Sequence, residues 1–228
     1  MSKELTVLIT GASGLIGSHL CTTFLTAGWR VFAQVHNSST IPGTVTLKQN
    51  LAIPSGGREL CEKIDYLDCV INCAADQSLV DLQDYSSERA YEIFQVNVFS
   101  PIEIILAAKA KGATTAINIS SIEALQARAG HEIYGATKSA LEAVTRSLAV
   151  SLAPMRIHGL RLGLIGDDSL KERWPEGYSS WVDAVPARRI GKPQEVANLA
   201  LAIANHTFEF ATGGIIDFDG GKSASPGW

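Results

Sequence analysis

The chain of 228 residues lacks several features that would have narrowed its class at once. Its four cysteines (Cys21, Cys61, Cys69 and Cys73) form no CxxC pair, and no cysteine–histidine cluster has zinc-like spacing, so no metal site is expected. Buried, reduced thiols in a cytoplasmic protein are the simplest reading of such cysteines. No uninterrupted apolar run approaches the roughly 18 residues of a membrane helix, and the polar start at 1–4 leaves no room for a signal peptide. Nineteen basic against 23 acidic residues give a net charge of −4, with no basic block. Nucleic acid and anionic membrane are therefore poor partners. Repeats and low-complexity linkers are missing as well, which leaves one globular domain spanning 1–228.

What the sequence does contain is alternation. Short β-rich runs at 5–10, 30–35, 44–48, 69–72, 115–120, 156–162 and 214–218 are separated by helical patterns near 15–27, 57–64, 87–110, 134–152 and 193–205. Several of the strand candidates are apolar throughout, as for strands covered on both faces. The expected fold class is α/β, a Rossmann-like doubly wound parallel sheet of about seven strands with helices on both faces. Two helices, 87–110 and 134–152, carry more apolar residues than one buried face requires. Packing on the sheet alone, or on the sheet and a second subunit, would account for them. Pro101 should kink the first or break it locally.

The first strand runs into Thr10-Gly11-Ala12-Ser13-Gly14-Leu15-Ile16-Gly17 and then a helix. A strand, a glycine turn and a helix start form the arrangement that binds a pyrophosphate, with backbone N–H groups facing the anion. Gly11, Ser13, Gly14, Leu15, Ile16 and Gly17 are the candidate contacts. NAD binding commonly places an acidic residue at the end of the second strand, on the ribose hydroxyls. Here that position reads His36-Asn37-Ser38, three residues that can donate hydrogen bonds to a 2′-phosphate and would not repel it. NADP(H) is the expected cofactor and NAD(H) the second choice.

The run 115–120 leads into Ser121. Tyr134 follows thirteen residues later, and Lys138 lies four beyond it, on the same helical face. A cation beside the phenol favours the phenolate and would lower the pKa from its usual value near 10. The phenol could then exchange protons near neutrality, with a serine hydroxyl to hold the reacting oxygen.

Taken together, the chain resembles the short-chain dehydrogenase/reductase family over nearly its whole length. The resemblance rests on the glycine turn 10–17, Asn72-Cys73-Ala74-Ala75, Asn97-Val98, the Ser121/Tyr134/Lys138 spacing, the stretch 189–197 and the ending 212–221. It implies Tyr134 as general acid, Ser121 as the group that polarises the carbonyl, and Lys138 on the nicotinamide ribose. It also implies that Asn97 holds a water, and that Asn50, Leu51, Cys73, Ala74, Ala75, Gly163 and Ile165 are further cofactor contacts. The implied reaction interconverts a ketone or aldehyde and an alcohol, written as carbonyl reduction with NADPH, in a cytoplasmic homotetramer or dimer built through the two apolar helices. Small carbonyl or alcohol compounds are the expected partners.

Departures from the family pattern are specific. The glycines are spaced as in the extended branch, Asn50 stands for an aspartate, and Ala75 stands for a glycine. Leu162-Gly163 replaces a proline-glycine pair, and Asp167 replaces a threonine. A nucleotide-sugar epimerase or dehydratase is one alternative, and a non-catalytic NADPH-binding sensor is another. Residues 167–188 take the place of a substrate lid, read as a long loop in which Trp174, Tyr178 or Trp181 meets substrate. Arg188 and Arg189 meet an anionic substrate, are solvated, or serve between subunits.

Overall fold

The computed structural model describes residues 4–37, 40–80, 83 and 85–225. Seven strands form one parallel sheet in the order β3-β2-β1-β4-β5-β6-β7. They are β1 (Thr6–Ile9), β2 (Arg30–Val35), β3 (Val45–Lys48), β4 (Cys69–Asn72), β5 (Thr115–Ser121), β6 (Arg156–Leu162) and β7 (Ile215–Phe218). Every strand lies where the sequence predicts one. Helices α1 (Leu15–Thr26), α2 (Gly56–Glu62), α3 (Ser87–Phe94), α4 (Ser100–Ala110) and α5 (Glu132–Ser151) are followed by α6 (Leu170–Arg173), α7 (Pro175–Ala184) and α8 (Pro193–Ala204).

Side chains alternate across a strand, and the sheet accordingly has two cores. Val7 and Ile9 of β1 and Ile117 and Ile119 of β5 pack with Leu20 and Phe24 of α1 and Val196 and Ala200 of α8. On the opposite face Leu8, Val70 and Ala116 pack with Leu60 of α2, Ile104 and Ile105 of α4 and Ala149 of α5. Cys21, Cys61 and Cys69 are buried free thiols, and Cys73 is half-buried. Burial pushes the thiol of Cys21 up to about 11 and those of Cys61 and Cys73 up to about 12.

Helices α3 and α4 are joined by one turn of π-helix, Gln95–Phe99, just ahead of Pro101. Proline has no N–H for the ordinary bond to the carbonyl four residues back. The ladder widens instead, and the Ser100 N–H donates to Gln95 O. The inserted residue leaves Gln95 and Asn97 both buried. The continuous helix Ser87–Ala110 is, by length and composition, long and apolar enough to cross a membrane, contrary to the reading of isolated apolar runs. Half of its span is buried inside the protein, and Ile93, Ile104 and Ile105 are fully covered.

Residues 167–188 contain two short helices, where the sequence reading expected a loop. Pro175 sits in the first turn of α7, where its missing N–H costs nothing. No residue of α6 or α7 is buried.

Candidate active site

Because all seven strands are parallel, their C-terminal ends lie at one edge. The chain crosses from one side of the sheet to the other between β1 and β4, and ligands of such sheets bind in the crevice at that point. The glycine turn after β1, the segment 73–76 after β4, Ser121 at the end of β5 and Gly163–Ile165 after β6 all converge there.

Close packing, more than conformational freedom alone, explains the glycines. A Cβ on Gly11, whose φ is +63°, would lie 2.7 Å from Ala74 Cα, and one on Gly17 would lie 2.2 Å from Gly11 O. The first brings the turn onto the end of β4, and the second seats α1 on the turn. Gly14 is less crowded, with a Cβ 3.3 Å from Gly11 O. Helix α1 begins without a side-chain cap or an acidic residue in its first turn, so its leading N–H groups remain for an anion. Ser13, Gly14 and Leu15 form the exposed lip of this cradle. The fit for a dinucleotide pyrophosphate is good.

Two residues that the motif reading passed over build the cradle from below. Gln34 of β2 accepts the Gly11 N–H at 2.9 Å and donates to Gln49 O at 2.8 Å, which fixes the mouth of the turn. Thr10 Oγ1 accepts the N–H groups of Cys73 and Ala74, each at 3.0 Å. Gln34 lies outside the glycine pattern and Thr10 only opens it, and their partners lie 15 and more residues away.

His36 and Asn37 are exposed at the end of β2, while Ser38 falls outside the described residues. Asn50 accepts the Ala52 N–H through Oδ1 at 2.9 Å, so its side chain caps its own turn. The Leu51 side chain is buried in the core and its carbonyl accepts from Ser100 Oγ, which leaves its N–H as its means of meeting a ligand.

A cleft of about 500 Å³ brings together Ile16, Cys73, Ala75, Ser121, Tyr134, Lys138, Gly163 and Ile165, eight of the residues singled out in the sequence. Tyr134 and Lys138 lie one turn apart on the inner face of α5, both buried. The Ser121 hydroxyl shares the cleft with the phenol, whose pKa it lowers, and accepts the Glu123 N–H at 3.2 Å. Gly135 allows this contact, since a Cβ there would lie 2.9 Å from Glu123 O.

The electrostatics differ from the sequence expectation. Burial holds the Tyr134 phenol above its ordinary pKa, the Ser121 hydroxyl offsets part of this, and Glu123 and Cys73 add to it. The Lys138 amine points at Ile119 O, 2.8 Å away, and lies 5.5 Å from the centre of the phenol ring. Desolvation brings Lys138 itself down to about 8, partly opposed by Cys73 and Glu142. A cation half-discharged at that pH and bonded elsewhere does not make the phenol acidic. Lys138 is thus an ammonium below pH 8 and an amine above it. In spectra of protein carrying 13Cε-labelled lysine, one resonance should titrate near pH 8, well below the other lysines, and should be missing in Lys138→Met.

Asn97 lies outside the cleft lining. Its Oδ1 accepts the Asp76 N–H at 2.8 Å, and its Nδ2 donates to Asp76 O and Thr137 Oγ1 at 2.9 and 3.0 Å. The side chain braces the segment after β4 against α5. Trp174 and Trp181 line the cleft and Tyr178 is not among its lining residues. Arg188 Nη1 donates to Asp183 O, and Arg189 is paired with both carboxylate oxygens of Glu195.

A dinucleotide cradle opening onto a buried phenol, amine and hydroxyl defines an oxidoreductase of the nicotinamide-dependent kind. The family model described as enoyl-(acyl carrier protein) reductase matches residues 16–223. The chain belongs to the short-chain dehydrogenase/reductase family and is an NAD(P)-dependent oxidoreductase; the epimerase and sensor alternatives are not favoured. It is 26% identical to an L-xylulose reductase of Caenorhabditis elegans, with 95% of each chain covered. It is 28% identical to the rhamnolipids biosynthesis 3-oxoacyl-[acyl-carrier-protein] reductase of Pseudomonas aeruginosa, with 94% of each covered. The aldohexose dehydrogenase of Thermoplasma acidophilum has the same fold, with a TM-score of 0.89 and 24% identity over 98% of this chain and 96% of that one.

Proposed function

We propose that this chain is a carbonyl reductase that prefers NADPH, with Tyr134 as the proton donor to the substrate oxygen. The observation that carries the reading is the state of the phenol: buried, in the same cleft as Ser121 and held protonated. Reduction needs an acid at that point, and a phenol kept in its acid form is suited to it. Ser121 Oγ orients the carbonyl oxygen toward the phenol. Lys138 stands behind Tyr134 as the cofactor-side polar group, and Asn97 acts as a positioning residue through Asp76 and Thr137. The bound nicotinamide dinucleotide supplies the hydride. Residues 11–17 and 73–75 would hold it, with Gly163 and Ile165 on the nicotinamide side. His36 and Asn37 favour a 2′-phosphate by offering hydrogen-bond donors without a repelling carboxylate.

Residues 167–188 serve as the cover, with Trp174 and Trp181 facing the cleft. A homotetramer is supported by the exposed Tyr91, Phe99 and Leu106 along the 87–110 helix and Val150 on α5, which a second copy would cover. A cytoplasmic location is consistent with the four free thiols.

The test is a panel of carbonyl and alcohol compounds assayed in parallel with NADPH and NADH. NADPH-dependent reduction of a carbonyl is the expected result. A clear NADH preference overturns the assignment of the β2 end, and turnover of alcohols alone overturns the reductive direction.

A further inference from the structure

The substrate side of the cleft carries a polar group of side chains for which proton transfer has no use. Glu123 lies in the single 3-10 turn Ile122–Ala124, directly after Ser121, and His131 precedes α5. The imidazole stands edge-on to the Tyr134 ring, with centroids 5.9 Å apart and an interplanar angle of 88°. His131 Nδ1 is 2.9 Å from Glu123 Oε2, and Arg128 Nη1 is 3.5 Å from Glu123 Oε1. The histidine side chain is only 10% exposed and the glutamate side chain 15%. Despite their short separation, His131 Nδ1 and Glu123 Oε2 are not aligned for a hydrogen bond, and each is a buried polar atom without a hydrogen-bond partner.

Buried, unsatisfied polar atoms are costly, and Glu123 and His131 both line the cleft beside Tyr134, so a ligand that satisfies them is favoured there. A hydroxyl meets both needs at once, because it donates to the carboxylate and accepts from the ring N–H. The facing wall fits the same chemistry. Trp174 and Trp181 offer broad apolar faces for the C–H surface of a polyol, and Arg128, 5.4 Å from the Trp174 ring, ties that wall to Glu123. An acyl chain laid across this surface would cover both polar atoms and satisfy neither.

We propose that Glu123 and His131 form a hydroxyl-recognition site and that the substrate is a polyhydroxylated carbonyl compound with a hydroxyl next to the reacting carbon. This rests on the carbonyl-reductase reading, which places the reacting oxygen between Tyr134 and Ser121.

The experiment compares a ketopentose with 2-pentanone, which has the same chain length and lacks the hydroxyls, in the wild type, Glu123→Gln and His131→Phe. The phenylalanine keeps an aromatic ring beside Tyr134 and removes both nitrogens, and thermal melting checks that each variant folds. In the wild type, kcat/KM for the ketopentose should exceed that for 2-pentanone by about a hundredfold or more. Each variant should cut this ratio at least about tenfold, chiefly through the KM of the ketopentose. A wild type that prefers 2-pentanone or a 3-oxoacyl thioester overturns the proposal, as does a ratio unchanged in both variants. Binding of a pentitol, measured by saturation-transfer NMR with NADP+ present, gives a readout free of turnover. Pentitol binding that weakens in His131→Phe upholds the site even if no carbonyl is reduced, in which case it is the reductase reading that fails. Equal binding by wild type and variant, or none by the wild type, overturns the site even if carbonyls are reduced.

Discussion

Replacing Tyr134 with phenylalanine should lower kcat for carbonyl reduction by about 10²–10⁴-fold, the range that a positioned acid contributes, while the protein stays folded and still binds NADPH. The first half follows from geometry: the phenol and the Ser121 hydroxyl line the same cleft, and burial keeps the phenol's proton in place. Lys138 cannot substitute, because its amine is committed to Ile119 O. The second half follows from what the substitution leaves intact. The phenyl ring keeps its packing against His131, and Ser121 Oγ still accepts from the Glu123 N–H, so it is not left without a partner. The stability lost is at most that of one ordinary hydrogen bond, about 1 kcal/mol. NADPH consumption and quenching of protein fluorescence by NADPH, measured on the same preparation, separate the two halves. Turnover within tenfold of the wild type would remove Tyr134 from the proton path, and lost NADPH binding would mean that the hydroxyl itself helps to hold the cofactor.

The sheet was legible in the sequence because its strands are buried on both faces. Runs such as Val7-Leu8-Ile9 and Cys69-Val70-Ile71 are apolar without alternation, and glycine, proline or polar residues bound them. The site was legible wherever one local pattern carried it: the glycine turn within eight residues, and Tyr134 with Lys138 within one helical turn. The missing parts depend on contacts between distant segments. Gln34 reads as an ordinary polar residue in a strand until β1 lies beside it, and Glu123 with His131 reads as loop polarity until α5 folds back. The pKa of Tyr134 was misread for a related reason. Sequence spacing reports that a cation is near, but not that both groups are buried or that the cation is bonded to Ile119. Helices α6 and α7 escape the sequence reading because they are only four and ten residues long, fully bury no residue and lie among prolines and a glycine.

Glu142→Ala should destabilise the fold by about 3–5 kcal/mol, the cost of stripping one partner from a buried ion pair. Glu142 stands one turn beyond Lys138 on the same face of α5. One carboxylate oxygen accepts from Ser120 Oγ at 2.8 Å and Arg161 Nε at 2.9 Å, and the other accepts from Arg161 Nη2 at 2.6 Å. Hydrogen bonds donated to this carboxylate hold the Arg161 guanidinium in its charged form more firmly than usual. Alanine leaves that buried cation with Asp217 alone, whose side chain is nearly half in solvent and reaches only Nη1 at 2.5 Å. In a domain of this size the loss corresponds to a drop in Tm of about 6–20 °C. The pair should be far less sensitive when both charges go together. Glu142→Leu combined with Arg161→Met replaces the bridge with apolar volume and should recover most of the loss, since desolvation opposes the Coulomb gain within such a pair. Urea denaturation of the wild type, the single variant and the double variant checks this. A single variant within about 1 kcal/mol of the wild type would mean that Asp217 and solvent satisfy Arg161 unaided, and the strand that ends in Ser121 would then be held in place by its apolar neighbours, without the bridge between α5 and β6.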